Sequence, residues 1–231
     1  MKLSNDRKSI FIAVPKTGTQ TVDYHLAPYG KELPEEIYHG KPMEFEDHVH
    51  NGYSGVDLSQ ITYYAFYRDP VERFFSAVNY TKMFAVRLRN SFPDILGDVP
   101  VGDKTYRDEW KPGEFESLPE EMQDRIRNLT PEQFLDAPRV HGGVWMEQYH
   151  YLIHPQVKVL RFSNFESDLR KLIGIFGGDG DVPIVCLNGS KNRPEARTYT
   201  PNHYIMKRLR LRYPNDFHDE FQTFLNKKSG V

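Results

Sequence analysis

Short apolar runs, each followed by a turn signal and a helical pattern, set the rhythm of this chain. Residues 10–14, Ile-Phe-Ile-Ala-Val, form a continuous apolar run without polar alternation, as expected of a strand buried on both faces. Pro15 and Gly18 break that run, and a helix is predicted from Thr19 to about Leu26, stopping before Pro28 and Gly30. Residues 27–47, rich in Pro, Gly and Glu, read mostly as loop. Residues 61–67, Ile-Thr-Tyr-Tyr-Ala-Phe-Tyr, are β-branched and aromatic and predict a second central strand. The following helix has a well-specified start: Asp69 suits the N-cap, Pro70 the first helical position, and Glu72 completes a capping box. On that helix Arg73, Ser76 and Tyr80 share one face.

Residues 87–128 lack sustained periodicity and read as an irregular insertion, with a short helix near 119–126. Thr130-Pro131-Glu132-Gln133 is another capping box, starting a helix to about Ala137. Residues 144–153 have helical apolar spacing and should pack on the sheet, and 157–162 predict a third strand. Phe165, Leu169, Leu172, Ile173 and Phe176 then mark an amphipathic helix ending at Gly177-Gly178. Thr200-Pro201 opens a further helix with Ile205, Leu209 and Tyr213 inward; Pro214 ends or kinks it, and 217–225 form the last helical turns. Strands alternating with helices imply an α/β domain of three layers around a largely parallel sheet. It is read as a single domain over residues 1–231, with 87–128 as a candidate acceptor-side region.

Composition changes this picture little. The length of 231 residues suits one substantial domain, and 39% hydrophobic with 27% charged residues is ordinary. A net charge of −2 gives no global bias toward nucleic acid or anionic membrane, so any anion site is local. No run approaches the ~18 apolar residues of a membrane span. Residues 1–9 are polar and lack the apolar core of a signal peptide, so a cytoplasmic location is expected. Cys186 is the sole cysteine, which excludes an intrachain disulfide; within the apolar run 182–187 it reads as a buried structural thiol.

The chemistry begins at the first turn. Strand, tight turn and helix gather backbone N–H groups and the positive end of a helix dipole around an anion, and Lys16 adds a full charge. The order Pro15-Lys16-Thr17-Gly18-Thr19 is not a Walker A loop, because Lys16 precedes Gly18 and no glycine lies upstream. It resembles the 5′-phosphosulfate loop of sulfotransferases that use 3′-phosphoadenosine 5′-phosphosulfate. A second segment strengthens the resemblance: Arg68-Asp69-Pro70, Arg73, Ser76 and Tyr80 after an aromatic strand are similar to that family's 3′-phosphate-binding strand and helix. A third, Ser190-Lys191-Asn192-Arg193, is similar to the late basic loop, often Ser-Lys-Gly-Arg, that closes over the nucleotide; Asn192 replaces the glycine.

The resemblance implies a P-loop NTPase-like fold and a set of roles. Lys16 stabilises charge on the oxygen between phosphorus and sulfur as that bond breaks, and Thr17, Gly18, Thr19, Gln20 and Thr21 supply further donors. Arg68 and Ser76 bind the 3′-phosphate, and Lys191 and Arg193 contact phosphate. A planar guanidinium fork suits that task. The acceptor is a hydroxyl, expected on a carbohydrate because the histidine segment resembles that branch; 3′,5′-adenosine bisphosphate is the co-product and no metal is required. His48, in Asp47-His48-Val49-His50, is the base the resemblance suggests, with His50 a rival. On an extended chain both would point the same way. His39 reads as a loop histidine. Asp47, His48 and His50 also offer metal-ligand chemistry, a weaker reading.

Trp145, Gln148 and Tyr149 are candidates to line an acceptor cleft, with Trp145 and Tyr149 alternatively core aromatics, and the cluster Lys207, Arg208, Arg210 and Arg212 either meets an acidic glycan or forms a solvated face. Two rivals remain: an ATP-dependent small-molecule kinase, disfavoured by the missing Walker order, and a non-catalytic nucleotide-binding module.

Overall fold

The computed structural model describes residues 1–34, 37–50, 55–82, 118–137, 143–187 and 197–229. They group into two compact units, each assembled from separate stretches: Met1–Pro70, Met146–Asn188 and Asn215–Val231 form the first, and Val71–Trp145 and Gly189–Pro214 the second.

The first unit is built on a five-stranded sheet in the order β3-β1-β2-β4-β5. Its strands are β1 (Lys2–Ser4), β2 (Ser9–Phe11), β3 (Gly30–Glu32), β4 (Thr62–Tyr67) and β5 (Val157–Arg161). The three strands expected from the sequence are the three parallel ones: Ile10 lies opposite Tyr63, and Ala65 opposite Val159. The polar N-terminal stretch is not idle, however. It supplies β1, which pairs antiparallel with both β2 and β3, so the sheet is mixed at one side.

Side-chain alternation divides the core. Ile10, Ile12, Val14, Tyr63, Ala65, Tyr67, Val157 and Val159 line one face, where they cluster with Phe45, Leu152, Phe221 and Leu225. Phe11, Ala13, Tyr64, Phe66 and Leu160 line the other, with Val22, Leu26, Leu169, Leu172 and Ile173. Each fully buried Val, Leu, Ile or Phe among them stabilises the fold by about 1.5–3 kcal/mol. Helices therefore cover both faces. On the second face lies α1 (Thr19–Leu26), with the bounds expected from the Pro and Gly residues that flank it. The opposite face receives α2 (Pro42–His50), which replaces the loop expected over 27–47. Phe45 is its fully buried anchor.

The helix beginning at Pro70, α3 (Pro70–Lys82), follows β4 as the proline at its first position predicts. In the second unit, α4 (Glu120–Arg127) and α5 (Pro131–Asp136) lie where expected, and Thr130 and Gln133 form the reciprocal capping box. Trp145 is buried with its ring 6.1 Å from Phe74 and 5.9 Å from Phe134, so it is a core aromatic. Residues 144–153 do not form one helix: a 3₁₀ turn (Gly143–Trp145) is followed by the short α6 (Tyr149–Leu152). Phe165–Ile175 is α7, closed by Gly177 at φ +89° with the Gly178 N–H on the Ile173 carbonyl. His203–Arg212 is α8, capped by Asn202 and not by the expected Thr200; Asp219–Lys228 is α9.

Of the basic cluster on α8, Lys207 and Arg210 are exposed, while Arg208 and Arg212 turn back to the protein. Arg208 donates to the Leu135 carbonyl, and Arg212 to those of Phe134, Leu135 and Ala137, so both satisfy the last turn of α5. Cys186 is exposed, contrary to the buried thiol expected from its apolar neighbours. The segment containing it is tied to α1 through backbone N–H groups, Val185 to His25 and Leu187 to Thr21, and the side chains of Val185 and Leu187 are exposed as well. Among the described residues, no helix is long and apolar enough to cross a membrane.

Candidate functional site

The path of the chain through the sheet singles out one place along its carboxyl edge. From β2 the chain leaves through α1 to β3, on one side; from β4 it proceeds to β5, on the other. The neighbouring parallel strands β2 and β4 thus lead away in opposite directions, the topological switch point at which open α/β sheets bind ligands. Residues 14–18 leave the carboxyl end of β2, and Arg68 leaves that of β4.

Hydrogen bonds fix the first of these turns at its base. Ile12 N–H donates to the Tyr64 carbonyl (2.8 Å), and the buried Thr17 hydroxyl donates to the Val14 carbonyl (2.8 Å). Lys16 then adopts φ +69°, in the left-handed region that non-glycine residues rarely occupy. Gly18 follows at φ +81° as the N-cap of α1, and no side chain caps that helix from the N-cap position. A Cβ at Gly18 would lie 2.7 Å from the Phe165 ring, so glycine is required by both conformation and space. A half-buried lysine, a glycine-capped helix start and strained backbone here coincide, and strain of this kind clusters at functional sites.

Arg68 is held against the same turn. Its Nη1 donates to the Lys16 carbonyl (3.2 Å), and its guanidinium lies 4.4 Å from the centroid of Phe162. Two of the cationic residues singled out from sequence, 52 positions apart, therefore meet at one edge. Such a pair next to first-turn amides can bind and neutralise a phosphate- or sulfate-type anion.

Thr19, Gln20 and Thr21 occupy the first turn of α1. The Thr21 hydroxyl accepts from Leu187 N–H (2.9 Å) and donates to the Leu187 carbonyl (3.4 Å), tying α1 to the segment before the late basic loop. Ser76 is half-buried on α3, in the second unit. Its neighbour on that face, Arg73, is turned inward and donates to the Val144 carbonyl (3.1 Å). Lys191 and Arg193 lie outside the described residues. His48 and His50 sit on α2, so their i, i+2 spacing directs them to different sides of a helix, not to the same side of an extended chain. Among the described residues, no group of three His, Cys, Asp or Glu side chains is placed to hold a metal.

Two residues stand closer to the site than the sequence reading assigned. His39 Nδ1 lies 2.6 Å from the Ala13 carbonyl, at the base of the turn. A carbonyl only accepts, so Nδ1 carries the proton, and in the neutral ring Nε2 is the basic nitrogen. Gln148, fully buried, brackets the Arg68 peptide: its Oε1 accepts from Arg68 N–H (3.0 Å), and its Nε2 donates to the Arg68 carbonyl (2.8 Å). The loop setting of His39 hid the first. For Gln148, a polar residue inside an apolar helical pattern was the available signal. Comparison of the chain with family models, with curated proteins and with solved structures finds no match.

Proposed function

We propose that the protein is a sulfotransferase, moving a sulfuryl group from 3′-phosphoadenosine 5′-phosphosulfate to a hydroxyl, with a carbohydrate as the preferred acceptor class. The observation that carries the reading is the meeting of Lys16, Gly18 and Arg68 at the sheet's switch point. The P-loop NTPase-like classification of the α/β fold is part of the same proposal.

In this reading the acceptor oxygen attacks sulfur in line while the bond from sulfur to the 5′-phosphate oxygen breaks. Lys16 and the first-turn amides of α1 stabilise the charge arriving on that oxygen. The guanidinium of Arg68 takes the 3′-phosphate; for Ser76 the same ligand is implied by the sequence resemblance alone. The acceptor's proton passes to a histidine. His48 is the sequence candidate and His39 the one the turn itself orients, with its basic nitrogen defined by the bond to Ala13. Positioning and electrostatics supply the acceleration, as in phosphoryl transfer.

Calorimetry with 3′,5′-adenosine bisphosphate, AMP and ADP tests the donor site. Tight binding of the bisphosphate and weak binding of AMP is expected; equal affinities would overturn the assignment of Arg68. Transfer from labelled donor, set against ATP turnover with magnesium, separates this reading from a kinase. Binding without transfer to any acceptor would indicate a nucleotide-binding module. For the base, whichever of His39→Ala and His48→Ala removes the catalytic group should lower turnover by about 10²–10⁴-fold with donor affinity kept.

A further inference from the structure

We infer that Gln148 and Asp216 are positioning residues for Arg68, and that through it they set the preference of the site for a nucleotide bearing a 3′-phosphate. The inference rests on the reading of Arg68 given above.

The ladder between β4 and β5 ends at the pair Tyr67 and Arg161. Arg68 is the first residue beyond it, where a backbone would ordinarily be loosest. The Gln148 carboxamide takes over there. With one donor and one acceptor on the same planar group, it offers Arg68 what a neighbouring strand's peptide would, at 3.0 and 2.8 Å. Arg68 is thereby fixed at three points: its peptide by Gln148, its Nη1 by the Lys16 carbonyl and its guanidinium plane by Phe162.

Gln148 is itself held. Its own N–H and that of Tyr149 donate to the two carboxylate oxygens of Asp216 (3.1 and 2.8 Å), a side chain only 1% exposed. The Asp216 carbonyl accepts from Gln222 Nε2 (2.7 Å), and the same amide donates to the Tyr67 hydroxyl (3.1 Å). Burial pushes the Tyr67 hydroxyl up to about 12, so it stays neutral. The network therefore starts at Arg68 and closes on the residue before it, through two segments remote in sequence, one at Gln148–Tyr149 and one at Asp216–Gln222. A buried amide and carboxylate are costly unless fully bonded, and a satisfied network holds its members rigidly. A guanidinium so fixed can meet a phosphate bidentately without first losing its own freedom.

The test is calorimetry of the whole chain with 3′,5′-adenosine bisphosphate and with AMP. In the unaltered protein the ratio of the two affinities measures what the 3′-phosphate contributes. Gln148→Met, similar in length but unable to hydrogen-bond, should reduce bisphosphate affinity by about tenfold or more while leaving AMP within about threefold. Asp216→Asn keeps the shape, loses one acceptor, and should reduce the ratio by a smaller factor; it carries the test should Gln148→Met fail to fold. In an Arg68→Met background, Gln148→Met should change neither affinity further. Equal losses for both nucleotides, an unchanged ratio, or additive effects with Arg68→Met would each show Gln148 to be purely structural. An unaltered protein with a ratio of one would instead fail the donor-site reading itself, a result distinguishable from the others.

Discussion

Two turns in the first unit adopt the same uncommon backbone and use it differently. Arg7, between β1 and β2, has φ +60°; Lys16, after β2, has φ +69°. The first turn satisfies itself. Arg7 N–H donates to the Ser4 carbonyl, the Asp6 carboxylate accepts from the Ser4 hydroxyl and from Lys8 N–H, and the Ser4 hydroxyl accepts from Ser9 N–H. The Ser4 hydroxyl also holds the Asp6 carboxyl below its usual range. Arg7 reaches the Gly55 carbonyl. The second turn delivers the chain into a helix whose N-cap is a glycine, with the Arg68 guanidinium brought onto the Lys16 carbonyl. A left-handed residue is thus not a functional mark in itself. The destination of the surrounding donors makes the difference.

The sharpest way to break this comparison is to treat both residues alike. Lys16→Gly and Arg7→Gly each relieve a left-handed conformation that costs a non-glycine residue about 1–2 kcal/mol, so neither should destabilise the fold by more than glycine's entropy cost. Sulfuryl transfer, followed with labelled donor, should fall by about 10²–10³-fold for Lys16→Gly and stay unchanged for Arg7→Gly. Parallel losses would show that the two turns do not differ in role.

Gly18→Ala probes the conformation without touching charge. The new Cβ must displace the Phe165 ring and accept φ +81°, so thermal unfolding should report a loss of about 1–3 kcal/mol. Weaker nucleotide binding should accompany it.

The smallest effect comes from a lysine with its donors turned inward. Lys82 is fully buried and donates to the carbonyls of Arg127 and Leu129 and to the Tyr199 hydroxyl. Burial lowers its pKa from 10.5 to about 8. Between those values the unfolded chain binds more protons at this site than the folded one. Its contribution to stability therefore rises with pH above about 8, by up to about 1 kcal/mol per pH unit. Above about pH 10 the buried tyrosines oppose it, since Tyr199 is itself raised to about 12 by burial. Denaturant unfolding at pH 8 and at pH 10 should show this increment, and Lys82→Met should abolish it.

Much of the fold could be read along the chain because its signals were local. The helix bounds at Thr19–Leu26 follow from the flanking Pro and Gly residues, and the Thr130 capping box from short-range hydrogen bonding. Elements that depend on distant partners were hidden. β1 and β3 are three residues each, too short for alternation to register, and gain their place only by pairing. In α2 the apolar positions Phe45 and Val49 are too few to outweigh the Pro- and Gly-rich stretch before them. The lysine and arginine of the site were legible as residues following strands. The Gln148 bracket was not, because its meaning lies in a peptide 80 positions away.

Since the chain holds a single cysteine and Cys186 is exposed, maleimide chemistry can attach one fluorophore without altering any other residue. Its neighbours Val185 and Leu187 are fastened to His25 and Thr21 of α1, so the dye would sit on the helix that starts at Gly18. The molecule comes with its own attachment point, at which a dye can test whether the proposed nucleotide binds beside α1.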